Sequence, residues 1–280
     1  MPTRNMTPAA VSDAEIAATF ERLALEAGRL VMDVFAAEFA VASKPDQSPV
    51  TAADHASERL ILEGLRADFP GLACNAEEEI AAGKSPGALG EAFVLVDPLD
   101  GTREFCNHRP DFTVNIALIR SGAPVIGVVY APARGEMYAA YAGQAEQIEI
   151  GHGYVETGRH PITVRTGTAP LTIVASRSHR TDDTDLYIRK FATAEIVSVG
   201  SSLKFCMIAA GKADLYPRFG RIMEWDTAAG DAVLRAAGGI TLTLDGTPLT
   251  YGKRGTPGID DFVNPPFIAK GRIEDLPLKI

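Results

Sequence analysis

The feature that most constrains this chain is Asp97-Pro98-Leu99-Asp100-Gly101-Thr102, which follows the apolar run Phe93-Val94-Leu95-Val96 without a break. An apolar strand ends there, and at its exit two carboxylates flank a Pro-Leu pair, followed by a glycine and a hydroxyl. Magnesium is a hard cation that takes oxygen ligands in octahedral geometry and releases its waters reluctantly. Two aspartates separated by two residues, with the Leu99 carbonyl turned inward between them, can offer such oxygens from one tight turn. Gly101 lets the backbone bend or approach a ligand closely, and Thr102 puts a hydroxyl where a following helix can begin. An Asp-Gly turn after a strand is common in itself. The full hexapeptide is more specific, and it points to a metal-dependent phosphate-ester site.

Net charge sets a limit on partners. The 280 residues hold 36 acidic and 27 basic side chains, a formal charge of −9. That balance argues against a nucleic-acid polymer, whose backbone needs clustered Lys and Arg. It leaves room for a small phosphorylated substrate, because divalent metals reverse the local sign of a site. Three scattered cysteines, Cys74, Cys106 and Cys206, make neither a disulfide framework nor a tetrahedral zinc site, and free thiols fit a reducing compartment. The N-terminus has no signal-peptide pattern and no run approaches a membrane span. The expectation is a cytoplasmic protein, with peripheral attachment at the inner face of the membrane left open.

Periodicity predicts an amphipathic helix from Ser12 to about Phe39, with Ile16, Phe20, Leu23, Ala27, Leu30, Val31 and Val34 on one face, and a second from Thr51 to Phe69, stopped by Pro70-Gly71. Strands are expected at Leu72–Ala76, Phe93–Val96, Thr113–Ile119, Val125–Tyr130 and Glu136–Tyr141. Gly122-Ala123-Pro124 joins two of them as a hairpin. Lys84–Glu91 reads as an exposed loop. After about Arg159 strands alternate with helices: strands at Leu171–Ala175 and Glu195–Val199, helices near Thr184–Phe191 and Ser202–Ala210, and a third from Asp226 to Gly238-Gly239. The fold class is therefore α/β, with an α+β first half and an α/β second half. Residues 1–158 form an N-terminal domain with most of the metal ligands, and residues 159–280 form a C-terminal domain.

Two further acidic motifs accompany the first. Glu77-Glu78-Glu79 follows the strand ending at Ala76, and one of the three, Glu77 foremost, can complete a metal shell with Asp97 and Asp100. Asp226, in Trp225-Asp226-Thr227-Ala228-Ala229-Gly230-Asp231, sits at the start of an Ala-rich helix, where a capping carboxylate can also present an oxygen to a metal. Four carboxylates packed without partners are costly to ionise, whereas their four charges match two divalent cations.

These three motifs resemble the signatures of the inositol monophosphatase superfamily, the lithium-sensitive magnesium phosphatases. The resemblance runs from Lys44 to about Gly239 and includes Ser48-Pro49-Val50-Thr51-Ala52-Ala53-Asp54. Gly200-Ser201-Ser202-Leu203-Lys204-Phe205 and Ala213-Asp214-Leu215-Tyr216-Pro217-Arg218-Phe219 resemble its CysQ-type branch, the 3′(2′),5′-bisphosphate nucleotidases. One departure is Ala76, where many relatives carry glycine. The resemblance implies a layered α/β/α/β/α sandwich with the site between two domains, and two or three Mg2+ ions held by Glu77, Asp97, the Leu99 carbonyl, Asp100 and Asp226. It assigns Thr102 to orienting and activating the attacking water, with Asp54 as its partner and Glu77 also catalytic.

The same resemblance implies a small phosphorylated substrate, a nucleotide, contacted by Leu99, Asp100, Gly101, Thr102, Ser176, His179, Gly200, Lys204 and Asp226. Lys204, His179 and Arg218 together would meet a second phosphate that the metals leave uncovered. The expected reaction is hydrolysis of adenosine 3′,5′-bisphosphate to AMP and phosphate, extending to its phosphosulfate analogue. Inositol monophosphate or a sugar bisphosphate would use the same mechanism, and a silent metal- or nucleotide-binding sensor is the alternative of another class. Every expected ligand position is filled, and no Gly-Lys-Ser/Thr phosphate loop occurs. Oligomeric state is not readable from the sequence.

Overall fold

A computed structural model describes residues 11–37, 39–44, 49–84, 88–167, 169–178, 180–274 and 276–278. Helix α1 (Asp13–Phe35) opens with a closed capping box: the Ser12 hydroxyl accepts from the Glu15 amide, and Glu15 accepts from the Ser12 amide. Its buried face is Ile16, Phe20, Leu23, Ala27 and Val31. The helix ends at Phe35, short of the expected Phe39. The Phe39 ring instead packs against Phe105, with centroids 4.8 Å apart. A short hairpin, β1 (Val41–Ser43) and β2 (Pro49–Thr51), leads into α2 (Ala52–Asp68), whose capping box joins Thr51 to Asp54.

Next come β3 (Ala73–Ala76), α3 (Glu77–Ala81), β4 (Ala92–Asp100), α4 (Thr102–Cys106), β5 (Thr113–Arg120) and β6 (Ala123–Ala131). Strands β7 (Glu136–Tyr141), β8 (Gln144–Ile150) and β9 (Glu156–Pro161) complete a seven-stranded sheet in sequential order. β3 and β4 are parallel and the later pairs antiparallel. The expected hairpin between β5 and β6 is present, with Ser121 and Gly122 both at positive φ.

A second sheet has five strands, in the order β11 (Glu195–Val199), β10 (Thr172–Ser176), β12 (Leu215–Arg218), β14 (Phe267–Lys270), β13 (Ile240–Thr243). Between its strands run α5 (Asp182–Ile188), α6 (Leu203–Ala209) and α7 (Trp225–Ala236). The expected division at 158/159 falls within β9, the last strand of the first sheet.

The apolar faces dictate the stacking. α1 packs on β5, β6 and β7, and α2 on β3 and β4, burying Phe20, Leu62, Val94, Ile116 and Val128. α7 packs on β5 and β6 on one side and on β13 on the other, while α6 touches α7, β10 and β12. Phe205, Ala229, Val233 and Phe267 therefore form a core between the sheets. α5 packs on β12, burying Tyr187 with Ile173, Leu215 and Ile268. The result is the expected α/β/α/β/α sandwich. At Gly127 of β6 a Cβ would lie 2.6 Å from both the Ala229 carbonyl oxygen and the Ala232 Cβ, so α7 rests directly on strand backbone. No described helix is long and apolar enough to cross a membrane.

Candidate active site

Parallel pairing of β3 with β4 aligns Ala76 with Val96, so Glu77 and Asp97 leave neighbouring strands side by side. Asp226 arrives from α7. Carboxylate oxygens of Glu77, Asp97 and Asp226 lie within 4.8 Å of one another.

The Asp97–Asp100 segment departs from the expected turn, because it continues inside β4. Asp97 pairs with Asn115 and Asp100 with Thr113, so β4 advances three residues while β5 advances two. Such a bulge re-aims side chains and tolerates Pro98, which has no amide to donate. The Pro98 carbonyl accepts from Ser57 Oγ at 2.8 Å, and the Leu99 amide donates to Asp97 Oδ1 at 3.0 Å. Gly101 then turns the chain at φ 90°, and α4 begins at Thr102. Thr102 Oγ1 lies 3.2 Å from both Asp54 Oδ1 and the Leu99 carbonyl oxygen. Asp54 Oδ2 already accepts from the amide and hydroxyl of Thr51, each at 2.8 Å.

Burial pushes the Asp97 carboxyl well above its ordinary range, and Glu77, Asp100 and Asp226 push it further. Asp226 is pushed up to about 8, by burial first and then by Asp100 and Glu77. Asp100 is raised by burial, with the Lys204 charge and a Ser202 hydrogen bond opposing. Burial also raises Asp54. A divalent cation suits this donor set: hard oxygens that converge, and negative charge that their own surroundings do not balance.

Asp226 was expected as the helix cap, but it is the second residue of α7. Glu224 holds the N-cap position in helical backbone conformation without capping through its side chain. The Glu224 carboxylate instead accepts the amides of Gly252 and Lys253 at 2.6 and 2.9 Å, and Asp226 Oδ2 accepts the Met223 amide at 3.0 Å. The Glu triplet is a short helix with divided duties. Glu77 and Glu78 share the Lys44 ammonium, Glu77 at 2.6 Å, the Glu78 amide donates to Glu58 Oε2 at 2.7 Å, and Glu79 pairs with Arg66.

Ser176, Gly200 and Lys204 line the same cleft, about 290 Å³, as the acids, together with Gly101, Thr102 and Arg218. Lys204 is buried, its ammonium 5.3 Å from the Tyr216 ring centroid and donating to the Ser201 carbonyl. Burial lowers its pKa to about 8, against the pull of Asp100. His179 and Ser48 lie outside the described residues. Lys44, Ser57 and Asn115 touch the site residues without having been singled out, and Ser202 stands in the quoted run 200–205 without an assigned role. The one signal available was Asn115, a lone amide in the apolar run Val114-Asn115-Ile116-Ala117-Leu118.

The sequence pattern of the inositol monophosphatase family matches residues 12–260. The 3′(2′),5′-bisphosphate nucleotidase CysQ of Escherichia coli K12 is 44% identical over 248 residues, 88% of this chain and 96% of that protein. The nucleotidase of the same name from Buchnera aphidicola is 40% identical over 82% of this chain and 85% of its own length. Among solved structures, CysQ from Bacteroides thetaiotaomicron superimposes with a TM-score of 0.75 at 33% identity, covering 92% of this chain and 97% of that one. An inositol monophosphatase from Thermotoga maritima, 24% identical with a TM-score of 0.72 over 93% of each chain, shares the fold. By its sequence pattern, its relatives and its architecture, the chain belongs to the inositol monophosphatase family.

Proposed function

We propose that the chain is a Mg2+-dependent phosphatase that hydrolyses the 3′-phosphate of adenosine 3′,5′-bisphosphate to AMP and inorganic phosphate, and acts on the corresponding phosphosulfate. The observation that supports this most is the convergence of Glu77, Asp97 and Asp226 within 4.8 Å, in a cleft that Lys204 and Arg218 also line. The activity named for relatives 44% identical supports the choice of substrate. We take residues 1–158 and 159–280 as its two domains, and the cytoplasm, where its three free cysteines stay reduced, as its compartment.

Glu77, Asp97, the Leu99 carbonyl, Asp100 and Asp226 would hold two or three Mg2+ ions. Bound magnesium supplies positive charge to the phosphate oxygens and the leaving alkoxide, and it acidifies water. Thr102 orients the attacking water and takes a proton from it while passing its own to Asp54, 3.2 Å away. The raised pKa of Asp54 suits it to keep that proton. The amides of Gly101 and Thr102 donate to phosphate oxygens. Lys204, with Arg218, meets the 5′-phosphate, and Ser176 and Gly200 border the nucleoside.

The test is phosphate release from adenosine 3′,5′-bisphosphate and inositol 1-phosphate, with and without Mg2+, by the wild type and by Lys204→Ala. Wild-type protein prefers the bisphosphate and loses activity to a chelator. Removing a charged hydrogen bond costs about 1.5–3 kcal/mol, so Lys204→Ala erodes the preference by roughly one to two decades. A preference for inositol 1-phosphate, or equal slowing on both substrates, rejects the nucleotidase reading.

A further inference from the structure

Two buried polar residues outside the ligand set join the acids to one another. Ser202 Oγ lies 3.0 Å from Asp100 Oδ2 and 2.6 Å from the backbone carbonyl oxygen of Asp226. Asn115 Nδ2 donates to Ser202 Oγ at 3.0 Å and reaches Asp100 Oδ2 at 3.4 Å. Three elements meet in this one knot: β4 brings Asp100, β5 brings Asn115, and α7 brings Asp226, with Ser202 between them.

The local structure accepts penalties to build it. Ser202 occupies the N-cap of α6, where a serine ordinarily accepts an amide of the first turn, yet its side chain makes no capping bond. Ser201 before it stands at φ 50°, a region costly for a residue with a side chain. Asn115 puts an amide into the interior of a sheet, and its Oδ1 has no donor among the described residues. An apolar residue would suit that position better if packing were its only task.

We infer that Ser202 and Asn115 are positioning residues that fix the Asp100 carboxylate by its Oδ2, keep Oδ1 available to a divalent cation, and lock Asp100 of β4 to the start of α7. The inference rests on the metal-site reading above. A carboxylate held in this way loses less freedom on binding a cation than one that swings. Outer partners of metal ligands typically govern about 10–100-fold in affinity.

Calorimetric titration of substrate-free protein with MgCl2 tests this, on the wild type, Ser202→Ala, Asn115→Leu and the double variant. Each single variant weakens Mg2+ affinity by about tenfold or more. The double variant is no weaker than the weaker single, since both substitutions break one unit. Metal-free melting temperatures stay near the wild-type value. Isotherms equal to the wild type's overturn the inference and leave the metal site standing. A lowered metal-free melting temperature with unchanged affinity also overturns it, by showing a packing role alone. A wild type that takes up no Mg2+ rejects the metal-site reading and this inference with it.

Discussion

Two buried aspartates of this chain, Asp214 and Asp97, end with opposite pKa shifts. Asp214 is buried, and Arg165 embraces it through Nε at 2.8 Å and Nη2 at 2.6 Å, while the Thr172 amide adds a third bond at 2.7 Å. Burial alone would raise its pKa, but Arg165 outweighs burial and the carboxyl ends below its ordinary value. Asp97 lies deeper, and burial first, then the charges of Glu77, Asp100 and Asp226, hold its carboxyl well above. The residue type is the same, while depth and company both differ. A chain that supplies arginine at one site and more carboxylate at the other leaves the second for a cation from outside.

The sharpest way to break this contrast is Asp97→Asn. Metal charge stabilisation amounts to several kcal/mol, so kcat/KM for adenosine 3′,5′-bisphosphate falls by about a thousandfold or more. Stability should move the other way. The folded pKa of Asp97 is raised, so ionisation opposes folding, and the penalty grows as pH climbs from the unfolded value through the folded one. Metal-free Asp97→Asn therefore melts above the wild type at pH 8 and not at pH 4. Thermal melts in chelator check this, and a variant less stable than the wild type at pH 8 removes the contrast.

Thr102→Ala comes next. It leaves the acid cluster intact and removes the hydroxyl beside Asp54, so kcat drops by about 10² to 10⁴-fold with little change in KM. A rise in KM at constant kcat moves Thr102 from water activation to substrate binding. Asp214→Ala tests the paired side. It costs about 1–3 kcal/mol, toward the lower end because Arg165 is half exposed and screened. Phosphate release per folded molecule is unchanged. The native Asp214 pKa is depressed, so its contribution is present at neutral pH and is lost as pH falls through that pKa. Denaturant melts at pH 7 and pH 3 measure it.

The smallest effect belongs to Glu58. Burial pushes its carboxyl up to about 7, with Glu79 and Glu77 adding to burial and the amides of Glu78 and Glu79 opposing. Glu58→Gln keeps an acceptor for the Glu78 amide, so it gains a few degrees of melting temperature at pH 8 and nothing at pH 4. A gain at both values assigns the effect to something other than charge.

Much of this arrangement is legible in the sequence. The ligands lie in short runs beside strongly patterned elements, so 97–102, 77–79 and 225–231 stood out, as did α1, α2 and β4 to β7. The strands that did not stand out are those whose sequences hide their pairing. β8 has glutamines and glutamates with only Ala145 and Ile148 buried, and β9 is mostly exposed and bears Arg159, which bridges Glu21, Glu146 and Glu156. β12 contains Pro217, a poor recommendation for a strand, but its register with β10 is confined to Leu215. The roles of Lys44 and Ser202 were hidden for another reason. Lys44 reaches Glu77 across 33 residues, and Ser202 reaches Asp100 across 102, so neither bond leaves a local pattern.

The contact of α7 with Gly127 bears on how such a chain can drift in evolution. The helix that delivers Asp226 settles on bare backbone, with Ala229 and Ala232 as its own small contribution to the seam. A single methyl at residue 127 cannot be housed by turning a rotamer, because the Ala229 carbonyl it meets belongs to the helix itself. The helix must lift, and Asp226 lifts with it. Selection on hydrolysis therefore reaches a residue that touches neither substrate nor metal. A larger side chain on one face of this seam would need a smaller one opposite it to keep the spacing between helix and sheet.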